Sequence, residues 1–333
     1  MFNDKSILIT GGTGSFGQKF VKTILQNFRP RRVIVYSRDE WKQSEMKMDE
    51  DFSNTQVRFF LGDVRDKDRL CLAMRGVDFV VHAAALKQVP AAEYNPHEFI
   101  KTNVDGATNV VEASLHSGVK KVIALSTDKA VNPVNLYGAT KLCSDKIFVA
   151  ANSYAGDGGT TFSVVRYGNV VGSRGSVIPL FISQRNSSSS RLTITNPDMT
   201  RFLITLKDGV DFVVKCFESM VGGELFVPKI PACTVADIAS VIAPESEWDT
   251  IGLRPGEKMH EILIPEDESR NVLEFENHYI IQPIQSFWGN KIGILGGVSC
   301  SEGFKYASNC NCENLNHEQL TDLLSDYLPV PKN

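Results

Sequence analysis

The chain alternates short apolar runs with stretches in which apolar residues recur every three or four positions. Ser6-Ile-Leu-Ile-Thr10 reads as a buried strand, because a strand covered on both faces is apolar without alternation. Phe16, Phe20 and Ile24, with Val21 and Leu25 beside them, then follow helical spacing. Further strands are predicted at Arg32–Ser37, Val57–Leu61, Val77–Ala84, Val122–Leu125 and Thr161–Arg166. Helical segments separate them, among them Asn103–Ser117. Strands alternating with helices predict a parallel sheet with helices on both faces.

The regularity stops near residue 172. Leu192–Thr195, Met199–Ile204 and Leu225–Val227 predict short strands, and Asp208–Met220 an amphipathic helix. Gln184–Arg191, with its Ser-rich run, predicts a polar loop. Residues 286–316 are rich in Gly, Ser, Asn and Cys and suggest no element. His317–Leu328 predicts a closing helix with Leu320, Leu323, Leu324 and Leu328 on one side. No internal repeat is visible. The expected fold class is α/β: a Rossmann-type doubly wound parallel sheet with a smaller C-terminal substrate-binding region, packed against the C-terminal edge of the sheet. The expected division is a dinucleotide-binding domain over 1–171, a mainly substrate-binding region over 172–285, and a tail over 286–333 with no assigned role.

Composition narrows the class. At 333 residues, 42% hydrophobic and 22% charged, the chain suits a globular domain with a large core. A net charge of −4 and a pI of about 5.9 offer no basic excess for nucleic acid or an anionic membrane. The seven cysteines are an odd, scattered set, and Cys310-Asn-Cys312 has the wrong spacing for a zinc knuckle. Free thiols and no metal site are expected. The first residues lack a signal-peptide layout. Apolar runs such as Phe79–Leu86 are strand-length, so no membrane span is expected. The expected location is cytoplasmic.

The first candidate chemistry is a nucleotide site. Gly11-Gly-Thr-Gly14-Ser-Phe-Gly17 lies between the first strand and its helix. Gly11 and Gly14 allow a pyrophosphate close to backbone N–H groups, and Gly17 allows close helix–strand packing. Thr13, Ser15 and Phe16 belong to the same loop, whose helix N-terminus faces the anion. The second strand ends at Ser37-Arg38-Asp39. A carboxylate there would select the ribose 2′-hydroxyl of NAD, whereas an Arg accommodates a 2′-phosphate. Arg38, with Ser37 and Lys42, therefore favours NADP over the alternative in which Asp39 takes the ribose. Asp63-Val64 is placed to meet the adenine, and Ala83 and Ala84 leave room for the cofactor to cross.

The second is acid–base chemistry. Val122–Leu125 delivers Ser126-Thr127-Asp128-Lys129, and Tyr137-Gly-Ala-Thr-Lys141 follows. On a helix, Tyr137 and Lys141 share a face one turn apart. The Lys141 charge should lower the Tyr137 pKa, so the phenol could take a proton from a hydroxyl as hydride leaves the same carbon. Asp128-Lys129 adds a second acid/base pair that simple alcohol oxidation does not need.

With these residues in hand, the chain resembles the extended short-chain dehydrogenase/reductase superfamily. Within it, the chain is similar to the C5-inverting UDP-N-acetylglucosamine 4,6-dehydratases that begin pseudaminic acid and related L-sugar pathways, among them flagellin glycosylation. The resemblance covers roughly 1–285. It rests on the Gly11–Gly17 loop, Ser37-Arg-Asp39, Gly62-Asp-Val-Arg-Asp66, His82–Pro90, Ser126-Thr-Asp-Lys129 and Tyr137–Lys141. It continues through Arg166–Pro179, Met199-Thr-Arg-Phe202 and Arg254-Pro-Gly-Glu-Lys258. Asp-Lys is the most discriminating pair, since the retaining dehydratases carry Asp-Glu there and 4-epimerases usually carry neither.

The resemblance implies a hydro-lyase. Tyr137, helped by Lys141, takes the 4-OH proton while hydride passes from C4 to NADP. Lys129 removes the C5 proton and Asp128 protonates the leaving 6-OH. Hydride returns to C6 and C5 is reprotonated from the opposite face. Lys129 must then be a neutral amine, which burial would favour and a charged Asp128 would oppose. Thr127 would bond the 4-oxygen, and Asn169 would meet the sugar or its first phosphate. Arg201 and Arg254 are candidates for the diphosphate, Glu257 for the nucleoside ribose, and Lys87 and Arg174 for further substrate contacts. The implied partner is a UDP-sugar, and the implied assembly a homo-oligomer, either a dimer or a larger ring. Two alternatives stay open: a nucleotide-sugar 4-epimerase or 4-reductase, and an NADP-binding protein without turnover.

Overall fold

The computed structural model describes residues 1–156, 158–173, 175–187, 191–284, 296–310 and 312–328. Its strands in chain order are β1 (Ser6–Thr10), β2 (Arg32–Ser37), β3 (Val57–Leu61), β4 (Phe79–His82), β5 (Lys121–Thr127), β6 (Thr161–Tyr167), β7 (Asn169–Val170), β8 (Leu192–Ile194) and β9 (Thr200–Ile204). β10 (Leu225–Pro228), β11 (Ala232–Thr234), β12 (Trp248–Thr250), β13 (Ile262–Ile264), β14 (Val272–Glu274), β15 (His278–Ile281), β16 (Val298–Ser299) and β17 (Tyr306–Ala307) follow. The helices are α1 (Ser15–Asn27), α2 (Glu40–Met48), α3 (Lys67–Ala73), α4 (Val89–Tyr94), α5 (Pro96–Phe99), α6 (Gly106–Ser117), α7 (Leu136–Ala150), α8 (Val177–Arg185), α9 (Leu206–Ser219), α10 (Val235–Ile242) and α11 (His317–Leu323).

A 10-stranded sheet runs β16-β14-β15-β10-β6-β5-β4-β1-β2-β3. It is parallel from β3 through β10, and antiparallel where β15, β14 and β16 add to its edge. Every residue of β1 is buried, as its unbroken apolar run predicts. Chain order reverses between β1 and β4, and at such a switch point the loops leaving adjacent strands diverge and open a crevice. The loop after β1 carries Gly11, and the loop after β4 carries Ala83 and Ala84. They are tied together: Ala84 N donates to Thr10 Oγ1 at 3.2 Å, and Thr10 Oγ1 bonds His82 Nδ1 at 2.9 Å. Burial first, and the Lys141 charge second, push the His82 pKa down to about 3, so the ring is neutral scaffold.

The first three strands have the predicted bounds. The fourth is shorter than Val77–Ala84, because the chain leaves the sheet after His82 to make the crevice wall. The fifth is longer than Val122–Leu125 and reaches Thr127. The helix expected from Asn103 begins instead as a π-turn over Ile100–Asp105 that continues into α6. Gln184 and Arg185 belong to α8, so the polar loop begins two residues later than expected.

The region beyond 171 also departs from expectation, since β10, β14, β15 and β16 extend the main sheet itself. A crossover of this length leaves no local sequence signal for its strand partner. Residues 171–243 also build a second apolar core from Val171, Ile178, Phe181, Leu192, Ile238 and Ile242. The tail completes it: Leu320 and Leu324 are fully buried there, with Leu323 and Leu328 packed against it. Asn316 and Gln319 form a reciprocal capping box that starts α11. Among the described residues, no helix is long and apolar enough to cross a membrane.

Candidate active site

A cleft of about 1350 Å³ opens over the C-terminal ends of β1, β4 and β5. Thr13, Gly14, Ser15, Phe16 and Gly17 line one end with Gly11, Ser37, Arg38, Lys42, Val64, Ala83 and Ala84. Gly11 has φ of +68°, and a Cβ there would lie 2.9 Å from Ala84 N. Only glycine lets the two loops meet. Gly14 caps α1 without a side chain, so the first-turn amides of that helix are left for an anion. This cradle fits a dinucleotide pyrophosphate.

Asp39 is occupied. Its carboxylate accepts from Lys42 N at 3.1 Å, capping α2, and pairs with Lys42 Nζ at 2.8 Å. Arg38 is half-exposed, and its nearest carboxylate is Asp63 at 3.7 Å. The Asp63 carboxylate pairs with Arg65 at 2.7 Å, and the cleft wall beside it is lined by Gly62 and Val64. Burial would raise its pKa, but the Arg65 hydrogen bonds and charge, with Arg38 further off, hold it below the usual carboxylate range.

The central wall is the turn after β5. Thr127, Lys129, Tyr137 and Lys141 all face the cleft. Asn135 starts α7 by accepting from Gly138 N at 2.8 Å, and its Nδ2 donates to Gly256 O at 2.9 Å. One side chain therefore ties α7 to the Arg254–Lys258 loop. A Cβ at Gly138 would sit 2.1 Å from Lys129 O. The glycine inside the Tyr-x-x-x-Lys stretch is what lets α7 lie against the Asp128–Lys129 turn. Asn103 holds the loop after β4 through Leu86 N and O, and donates to Thr140 Oγ1 at 3.0 Å.

The expected fall in the Tyr137 pKa is not found. Burial pushes it up to about 12, while Lys129 and a Thr127 hydrogen bond work to lower it and Asp128 to raise it. Lys141 does not do the lowering, because Nζ is turned onto Leu125 O at 2.8 Å. Burial lowers its own pKa, with Asp145 opposing.

Asp128 is fully buried and does not line the cleft. Its Oδ1 accepts from Thr127 Oγ1 at 2.8 Å and from Lys129 Nζ at 3.0 Å, while Oδ2 makes no hydrogen bond. Lys129 departs from the neutral amine. Burial would lower its pKa, but Asp128 and Glu261 outweigh that and hold it above the ordinary lysine value. Its Nζ also donates to Asn169 Oδ1 at 3.2 Å, so Asn169 touches Lys129 directly.

Lys87, Asn169, Arg201, Arg254 and Glu257 line the far end of the cleft. Arg254 is half-exposed, and Glu257 accepts from its backbone N at 3.3 Å. Arg201 is buried and bonds the Thr200 and Met259 carbonyls through Nη1 at 2.7 and 3.2 Å. Burial, then Lys129, lowers the Lys87 pKa. Arg174 lies outside the described residues.

Two charged cleft residues were given no role from sequence. Lys258 donates to Val131 O, and Glu261 is buried behind Lys129. Glu261 precedes the apolar run of β13, and a lone charge at the mouth of a buried strand is the signal that could have found it.

Behind the turn lies a fully buried Arg166. It sits 3.5 Å from Asp145 and 3.1 Å from Glu268, and Ser126 Oγ donates to Asp145 at 2.7 Å. Replacing Arg166 with Leu strands both carboxylates, and should destabilise the fold by about 3–5 kcal/mol. Urea unfolding measures this, and an unchanged midpoint would remove the network from the account.

A family model described as polysaccharide biosynthesis protein matches residues 7–283. The chain is 54% identical over 331 residues to an inverting UDP-N-acetylglucosamine 4,6-dehydratase of Campylobacter jejuni subsp. jejuni, covering 98% of each. That similarity runs well past residue 285 into the tail. A Rickettsia felis protein named UDP-glucose 4-epimerase is 45% identical over 289 residues, covering 84% of each. The solved structure of Pen from Bacillus thuringiensis superposes with a TM-score of 0.90 at 36% identity, over 99% of this chain and 100% of that one. The chain belongs to the polysaccharide biosynthesis protein family, among the extended short-chain dehydrogenases/reductases.

Proposed function

We propose that the protein is a UDP-N-acetylglucosamine 4,6-dehydratase that inverts C5, giving UDP-2-acetamido-2,6-dideoxy-β-L-arabino-hex-4-ulose. The observation that carries this reading is the Asp128-Lys129 turn, held against Tyr137 at the middle of the cleft. C4 epimerisation would employ Tyr137, Lys141 and Thr127 but leave that pair idle. The name of the Campylobacter relative supports the same choice.

The cradle of Gly11, Gly14, Gly17 and Arg38 suits NADP, which when bound accepts hydrogen from C4 and gives it back at C6. Tyr137 takes the 4-OH proton, and Thr127 orients that oxygen. The resulting ketone acidifies the C5 proton. Lys129, which faces the cleft, is the base toward C5, and Asp128, hydrogen-bonded to it, gives the proton with which the 6-oxygen departs as water; once hydrogen has returned to C6, a proton added to C5 from the opposite face completes the inversion. Arg254 and Glu257, paired only with each other at 4.0 Å among the described residues, are the polar groups for the UDP end. Lys87 and Arg201 border the sugar side. The composition and the family resemblance suit a cytoplasmic homo-oligomer.

Mass spectrometry after incubation with UDP-N-acetylglucosamine tests the reaction class. Loss of one water is expected. A product of unchanged mass would point to epimerisation. For the cofactor, Arg38→Ala should weaken NADP binding about 10- to 100-fold, as for a lost hydrogen bond to a charged group, and NAD binding far less. Equal losses in calorimetric titrations would mean that Arg38 reads no 2′-phosphate.

A further inference from the structure

Lys129 presents a difficulty for the base role that rests on the function proposed above. Its Nζ lies 3.0 Å from Asp128 Oδ1 and 3.4 Å from Glu261 Oε1. Glu261 is 3% exposed. Its other oxygen, Oε2, is buried without a hydrogen bond, and the nearest cation to it is Lys258 Nζ at 4.0 Å. A buried carboxylate with an unsatisfied oxygen is costly unless it serves a nearby charge.

The tail holds the backbone that carries this carboxylate. Ser308 Oγ accepts from Glu261 N at 2.9 Å, and Ser308 N donates to Glu261 O at 2.8 Å. The same hydroxyl shares a hydrogen bond with Thr200 Oγ1 at 2.6 Å, and Thr200 Oγ1 bonds His260 Nδ1 at 2.8 Å. Ser308 is fully buried and follows β17, which pairs with β13 directly after Glu261. The tail is therefore part of the wall behind Lys129.

We infer that Glu261 is a positioning residue for C5 chemistry, which aims Lys129 and sets its charge, and that Ser308 of the tail fixes Glu261 for that task. The ionisable groups around Lys129 are Asp128, Glu261, Arg201, Lys87, Lys258 and Tyr137. Among the described residues, the charges that stabilise its ammonium are the carboxylates Asp128 and Glu261, beside the neutral Asn169 Oδ1 at 3.2 Å. Removing the Glu261 charge while keeping its shape shifts Lys129 toward the free amine. An opposite charge this close typically moves a pKa by about one to three units.

The test follows exchange of the C5 proton of the isolated 4-keto-6-deoxy product in heavy water, with parent enzyme, as a function of pH. This substrate already carries the ketone, so Tyr137 is bypassed. With the parent, exchange should rise with pH through the Lys129 ionisation. With Glu261→Gln, that limb should move to lower pH by about one unit or more, and the plateau should fall on the order of tenfold as Lys129 loses its aim. Glu261→Asp keeps the charge and should shift the limb less, and it stands in if the neutral variant does not fold. Ser308→Ala should lower the plateau in the parent background and add nothing in the Glu261→Gln background.

A limb that stays in place in both Glu261 variants would overturn the inference. Independent losses from Ser308 and Glu261 would remove the tail from it. If the parent catalyses no exchange, the base role of Lys129 falls, and the role given to Glu261 falls with it. Exchange by the parent with an unmoved limb would sink Glu261 alone.

Discussion

Replacing Tyr137 with Phe should lower turnover of UDP-N-acetylglucosamine by about 10²- to 10⁴-fold, the range for loss of a general base. The ring keeps its packing against Ala92 and Phe99, so the fold should not suffer. The Gly11–Gly17 loop and Arg38 are untouched, and NADP should still bind. The size of the loss follows from the site. Burial holds the phenol near 12, so Tyr137 depends on its surroundings to release a proton. The nearest cation that helps is Lys129, while Lys141 is anchored to Leu125 O at 2.8 Å. Steady-state rates with a cofactor titration check both halves. Turnover close to the parent's would take Tyr137 out of the mechanism.

Asp128→Asn should produce a comparable loss in dehydration, about 10²- to 10⁴-fold, but at a different step. Asn keeps an Oδ1 that can accept from Thr127 and Lys129, so the turn retains its two hydrogen bonds. It cannot give a proton to a departing hydroxide. C4 oxidation should persist in a single turnover, read as the near-ultraviolet absorbance of reduced nicotinamide, while no 6-deoxy sugar forms. Loss of both steps would mean that Asp128 serves C4 chemistry. Retention of both would leave the acid role without a residue.

The sheet was legible where its strands are continuous apolar runs. Ser6–Thr10, Arg32–Ser37 and Val57–Leu61 are buried between helices, and nothing local competes with the β pattern. Part of the cleft lining was legible for the same reason, because the Gly11–Gly17 loop and Arg38 directly follow such strands. What the sequence hid depends on distant partners. Leu225–Pro228 joins the main sheet beside β6, a pairing that no local pattern encodes. Glu261 is fixed by Ser308, 47 residues away, from a stretch with no periodicity. Tyr137 and Lys141 have the spacing of an interacting pair, yet burial shifts both pKa values and Lys141 is turned onto a backbone carbonyl. Asp63 looked free for the adenine because its partner Arg65, two residues on, also reads as an ordinary exposed residue.

The most direct test is incubation of the protein with UDP-N-acetylglucosamine and NADP in heavy water, followed by NMR. The account predicts a 4-keto-6-deoxy sugar with deuterium at C5 and the L configuration. The same sugar with the D configuration would keep the elimination and contradict the inversion. A product that retains its 6-hydroxyl would contradict the dehydratase itself and leave Asp128 and Lys129 without a task.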